Sequence, residues 1–283
     1  MKKYHYLWRK VKSSLAMGLA SLCALLTLVP LFLILYYVAR QGISAVNLDF
    51  FTHLPKPVGE AGGGMGNAIV GSLILLAIAT LVGVPTGVFG GIYLSEFGRN
   101  RVGDGIRFAA DVLVGVPSIV IGILVYALVV VPMHAFSALA AGVALGVMMI
   151  PIVMRTTEES LKMVPMSLRE ASLALGAARW QTIVKVVLSA GRVGVITGVL
   201  LALARVAGET APLLFTALNN RFWSAGLGQP MASLPVQIYT YAISPYEDWH
   251  RQAWAGALVL CAGVLVVNIT ARLVSKSVYR RTG

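Results

Sequence analysis

Leu200–Leu214 reads LLALARVAGETAPLL, and its reading decides the fold. Two full charges, Arg205 and Glu209, interrupt an apolar run that reaches back through Val195–Leu203. Four residues apart, they predict neighbouring positions on one helical face, close enough to pair. An arginine near the middle of a membrane helix costs about 2.5–3.5 kcal/mol on insertion scales, so it persists only where it faces protein or water. Two readings follow: a polar pathway through a membrane, or an ion pair that joins two helices. Gly198, Ala202 and Gly208 put small residues on or beside that face, which allows another helix to approach closely.

The chain around this stretch is a membrane protein in composition. Its 283 residues are 58% hydrophobic and 12% charged, with a mean hydropathy of +0.81. Apolar runs predict six spans at about 15–38, 67–94, 108–131, 135–154, 193–218 and 253–273, in one transmembrane domain covering 1–283. The first run has 24 apolar residues and no small-residue cleavage site, so it reads as an uncleaved helix. Gly83, Gly87 and Gly91 form a small-xxx-small stripe on the second span, and Pro85 predicts a kink there. Cys23 and Cys261 fall in apolar segments and read as small core residues. The four histidines have no metal-ligand spacing, and neither metal nor cofactor is expected.

Charge sets the expected orientation. Lys and Arg number 18 on the side of the head, the 95–107 loop, the 155–192 loop and the tail, against 4 on the other side. That asymmetry predicts both termini in the cytoplasm, and it explains the net charge of +12 without nucleic acid. With Arg192 at the inner interface, Arg205 lies about 20 Å deeper and Glu209 about 25 Å, in a hydrocarbon layer of about 30 Å.

The inner loop 155–192 carries Glu170-Ala171-Ser172, then Gly176, then Val186, Leu188 and Ser189. This resembles the EAA loop of binding-protein-dependent ABC importer permeases. Ser172 stands where that motif has its second alanine, Val186 where it has isoleucine and Ser189 where it has proline. The stretch GVLLALARVAGETAPLLFTALN at 198–219 and ASLPVQIYTYA at 232–242 are similar to the phosphate-specific subgroup, the A-subunit (PstA) family. The resemblance covers essentially the whole chain. It implies an all-α polytopic protein of the type I importer permease fold, with a cytoplasmic coupling helix, in a bacterial inner membrane. It also implies a second permease subunit, a dimeric cytoplasmic ATP-binding subunit, an external phosphate-binding protein and inorganic phosphate as substrate.

The residues suit that chemistry. A guanidinium holds an oxyanion through paired hydrogen bonds. Arg205 is the first candidate on the substrate pathway, with Glu209 to restrain it, Arg155 as a second cation and Thr210 as a hydroxyl donor. Snorkelling at a helix end is the other reading of Arg155. Glu170, Ala171 and Gly176 are the candidates for contact with the ATPase. The chain has no GxxxxGK[ST] loop, so it is not expected to be an enzyme or to bind ATP by that device. The alternatives are a permease for another oxyanion, sulfate or molybdate, and a membrane scaffold in which Arg205 and Glu209 are structural.

Overall fold

The glycine stripe meets a partner helix at van der Waals range. A Cβ on Gly83 would lie 2.7 Å from Met149 Cβ, and one on Gly87 2.7 Å from Val153 Cβ. Gly91 lies against Thr157 and Gly142 against Ile78 in the same way. Both sequences rise together in steps of four, so the two helices run parallel with their i±4 ridges interleaved. They are α3 (Gly66–Glu96) and α6 (Ala138–Lys162), and their seam forms much of the main core.

The computed structural model describes residues 2–60, 62–224 and 226–282. Around the seam stand α1 (Lys2–Gly42), α2 (Leu48–Thr52), α4 (Arg101–Gly115), α5 (Ser118–Met133) and α7 (Met166–Ala174). Then follow α8 (Arg179–Val206), α9 (Ala211–Thr216), α10 (Leu234–Ala242) and α11 (Glu247–Thr282). Among the described residues, five helices are long and apolar enough to cross a membrane, and six spans result if the bent pair α4–α5 counts as one. α8 lies antiparallel to α6, with Gly191 against Leu161, Gly194 against Ser160 and Gly198 against Thr156. α1 is exposed from Trp8 to Tyr37 and meets the chain at its far end, where Tyr37 and Trp254 rings stack edge-on at 5.3 Å.

Several expectations are corrected. The third span is not one straight helix over 108–131: α4 and α5 meet at a 105° bend. Pro117 has no N–H for the carbonyl four residues back, and Val116 before it is extended (φ −69°, ψ 130°). The fifth span does not run unbroken to 218. α8 ends at Val206, and the short α9 begins after Thr210. Here Pro212 removes the bond to Gly208, and Gly208 itself favours no helix. Pro85, by contrast, sits within an unbroken α3. The fourth span does not stop at 154: α6 continues to Lys162, and within the 155–192 stretch, where a coupling helix is expected, α7 follows and α8 starts at Arg179 and passes through a π-helical turn at Thr182–Val187. Cys23 and Cys261 are exposed on their helices rather than in the core.

The two breaks meet. A Cβ on Gly122 of α5 would fall 2.6 Å from Pro212 Cα of α9. α5 and α9 thereby cover the first half of α6, with Ile121, Val125, Leu213 and Ala217 in the same cluster as Leu145 and Met148. At that end Thr216, Gln229 and Leu227 carbonyls accept the amides of Ser137, Ala138 and Leu139 at 2.9, 3.1 and 3.1 Å. The segment between α9 and α10 thus caps α6, where a helix start otherwise leaves donors orphaned.

Candidate functional site

The break after Val206 changes the relation of the two charges that opened the sequence reading. Arg205 lies in the last turn of α8, and Glu209 follows the helix in the linker. They form no ion pair, and neither side chain has a hydrogen-bond partner among the described residues. Arg205 is exposed, and Glu209 and Thr210 are half-buried. The helix dipole places negative potential at the α8 C-terminus, which favours the guanidinium there without an acid to neutralise it. An uncommitted cation within a span is costly in lipid and suits an anion in a water-lined path.

Arg155, the second candidate, is inside α6 rather than in a loop, and its guanidinium is paired. Its Nη2 lies 2.6 Å from each oxygen of Asp111 on α4, and its Nε donates to Oδ1 at 3.0 Å. The contact of Gly198 with Thr156 sets the relative levels of the two arginines. Counting rises along antiparallel α6 and α8, Arg155 and Arg205 differ by about 9 Å along the helix axes. The two residues thus stand at successive levels along the bundle, and no hydrogen bond joins them.

Beside Arg155 is an acid that the sequence reading missed. Glu158 is 1% exposed and accepts from Arg107 Nε at 2.7 Å and Lys162 Nζ at 2.6 Å, with Arg155 Nη1 at 3.5 Å. Arg107 also donates to the carbonyls of Gly98 (2.9 Å) and Leu94 (3.0 Å), just where α3 ends. One buried carboxylate therefore ties α3, α4 and α6 together at a single end of the bundle. The signal was present as Arg155, Glu158 and Lys162 at helical spacing, but it pointed to a site only once α6 was known to continue past Met154.

At the same end, α7 is built as a protrusion. None of its residues is buried, and Glu170 and Ala171 are exposed. Gly176 has φ +82°. Its amide donates to Leu173 O at 3.0 Å, and Ala177 N donates to Ser172 O at 3.2 Å. That pair of bonds is a Schellman cap, which calls for a left-handed residue at this position and so for glycine. Leu175 just before it is 89% exposed, and Met163, Met166, Leu173 and Trp180 also present apolar surface. The protrusion is tied back to α3 and α6: Arg169 Nη2 bonds Glu96 Oε1 at 2.8 Å and Leu161 O at 2.9 Å, and Arg179 Nη2 bonds Glu96 O at 3.2 Å. Arg179 also lies over the Phe97 ring at 4.5 Å.

The opposite end carries a polar and aromatic cover. Asn67 Nδ2 holds Asn220 O at 2.7 Å, Asn219 Nδ2 holds Gln237 Oε1 at 2.9 Å, and Leu234 N donates to Ser72 Oγ at 2.7 Å. Tyr241 stacks on Trp249 at 4.5 Å, and Arg221 lies over the same indole at 5.5 Å. Burial pushes the Tyr241 hydroxyl up, opposed by its bond to Gln237 and the charge of Arg221.

Among the described residues the chain is helical, with broken spans, an arginine without an ion-pair partner and an exposed capped helix at one end, an arrangement that fits a membrane permease. The chain belongs to the family of binding-protein-dependent transport system inner membrane components, whose pattern matches residues 83–281. It is accordingly a multi-pass inner-membrane protein. Relatives include the phosphate transport system permease protein PstA of Yersinia pestis, 47% identical over 94% of this chain and 91% of that protein. The PstA protein of Haemophilus influenzae is 45% identical over 95% of each chain. In fold, the chain is similar to a subunit of the MetNI methionine ABC transporter in an inward-facing conformation, with a TM-score of 0.59. That similarity covers 75% of this chain and 93% of the other at 19% identity.

Proposed function

We infer that this chain is a permease subunit of an ATP-driven phosphate importer and supplies half of the translocation pathway. The observation that carries this reading is Arg205, a charged guanidinium with no partner among the described residues, at the end of a spanning helix. The PstA relatives, named for phosphate transport, support the choice of anion. Phosphate meets Arg205 first, with Thr210 as a hydroxyl donor, and Glu209, four residues on in the linker, limits how tightly the anion is held. Arg155 is the next station, toward the α7 end.

The chain carries no phosphate-binding loop for ATP, so energy comes from a partner. A dimeric cytoplasmic ATPase grips α7 through Glu170, Ala171 and the apolar residues beside them. Movement of α7 reaches α3 through Arg169 and Glu96, and reaches α4 and α6 through Arg107 and Glu158. A second permease subunit completes the pathway, and an external phosphate-binding protein delivers the anion at the outer 219–252 stretch. Both termini lie in the cytoplasm, an orientation that the distribution of Lys and Arg supports.

The test is phosphate uptake into membrane vesicles holding the assembled complex, with ATP inside and phosphate-binding protein outside. Arg205→Leu is compared with wild type, and sulfate is the parallel substrate. A variant that assembles and hydrolyses ATP but moves no phosphate supports the pathway role. Normal transport by Arg205→Leu would show that this arginine is structural, and wild-type uptake of sulfate alone would refute phosphate.

A further inference from the structure

Asp111 takes no part in the reading above. Its side chain is 56% exposed, and its hydrogen-bond and ion-pair partner among the described residues is Arg155. The guanidinium holds both carboxylate oxygens at once, at 2.6 Å each. A phosphate ion presents the same two-oxygen edge to such a fork, so carboxylate and phosphate compete for one set of donors.

The second acid at Arg155 behaves differently. Glu158 is 1% exposed and is already committed to Arg107 and Lys162. It cannot leave without stranding a buried charge. Asp111 can leave: its side chain is 56% exposed where that of Glu158 is 1% exposed, so separating it from Arg155 strands no enclosed carboxylate. An anion that passes from Arg205 toward the α7 end therefore reaches a guanidinium whose fork is filled by an exchangeable acid.

We propose that Asp111 is an internal counter-anion that occupies the Arg155 fork at rest, yields it to the passing oxyanion and returns to expel it. The proposal rests on the reading of Arg155 as a station on a phosphate path. Its consequence is a fast release step. With Asp111 removed, Arg155 is left open beside an acid that other cations have neutralised, and the station becomes an anion trap. Phosphate then binds more tightly and leaves more slowly.

The experiment uses the assembled complex in liposomes with radiolabelled phosphate, comparing wild type, Asp111→Asn and Asp111→Glu. In Asp111→Asn the maximal uptake rate and the KM both fall, each by about fivefold or more. Equilibrium binding of phosphate to the complex, without the binding protein, tightens by a similar factor, and Asp111→Glu restores wild-type behaviour. Unchanged uptake and binding in Asp111→Asn overturn the proposal. So does lost uptake with unchanged phosphate affinity, because the pair is then only a strut between α4 and α6. A wild-type complex that takes up no phosphate refutes the underlying phosphate reading, and the inference with it, before any variant is compared.

Discussion

Gly176→Val is the perturbation that most directly connects the motif glycine to function. Gly176 sits at φ +82°, and a Cβ there would meet no atom within 4 Å. The penalty is therefore backbone strain rather than collision. A left-handed conformation costs an L-residue about 1–2 kcal/mol, with β-branched valine at the upper end. α7 has nine residues and none of them is buried, so neither length nor packing offsets that strain. At about 1.4 kcal/mol per tenfold, the capped form of α7 loses a factor of about 5–30 in population. Asn tolerates this region better than Ala, so the expected order is Gly, Asn, Ala, Val. The assay is twofold: amide hydrogen exchange across 166–177 in the purified complex, and ATP-driven phosphate uptake. Protection and uptake should fall together along the series while the spans stay folded. Wild-type protection and uptake in Gly176→Val would refute the reasoning that the cap holds the coupling helix in shape.

Gly87→Val puts atoms 2.7 Å from Val153 Cβ and 3.0 Å from Ile150 O, so α3 and α6 must separate. Overpacking of this kind costs about 1–3 kcal/mol, seen as a lower midpoint of thermal unfolding in detergent. Glu158→Leu leaves Arg107 and Lys162 without their shared buried partner, and stability should fall by about 3–5 kcal/mol on the same measurement. Arg169→Met cuts the tie to Glu96; ATP hydrolysis should continue while uptake per ATP falls, and unchanged coupling would place the link elsewhere.

Sequence and tertiary structure divide the explanation between them. The apolar runs marked the spans, because 18 or more such residues have no other stable setting than a membrane or a core. The stripe of Gly83, Gly87 and Gly91 named the face of α3 that packs, since close helix approach needs residues without bulk. The EAA-like pattern placed Gly176 where a left-handed cap is required, a local demand that local sequence can express. Arg205 and Arg155 were visible as charges in or beside spans.

Their partners were not visible. Arg155 with Asp111, and Glu158 with Arg107, join residues 44 and 51 positions apart, and nothing in the local pattern pairs them. Glu158 was unremarkable in sequence because its burial depends on α4 crossing beside α6. The prolines show the same limit. Each removes one hydrogen bond, yet α3 passes Pro85 unbroken while the chain breaks at Pro117 and Pro212. α3 is held along its length by α6, which keeps the helix together through one missing bond. The other two segments instead find a better contact with each other, Gly122 against Pro212. A proline states only that a bond is lost. The packing around it decides whether the helix bends, breaks or continues, and here that choice separated Arg205 from Glu209.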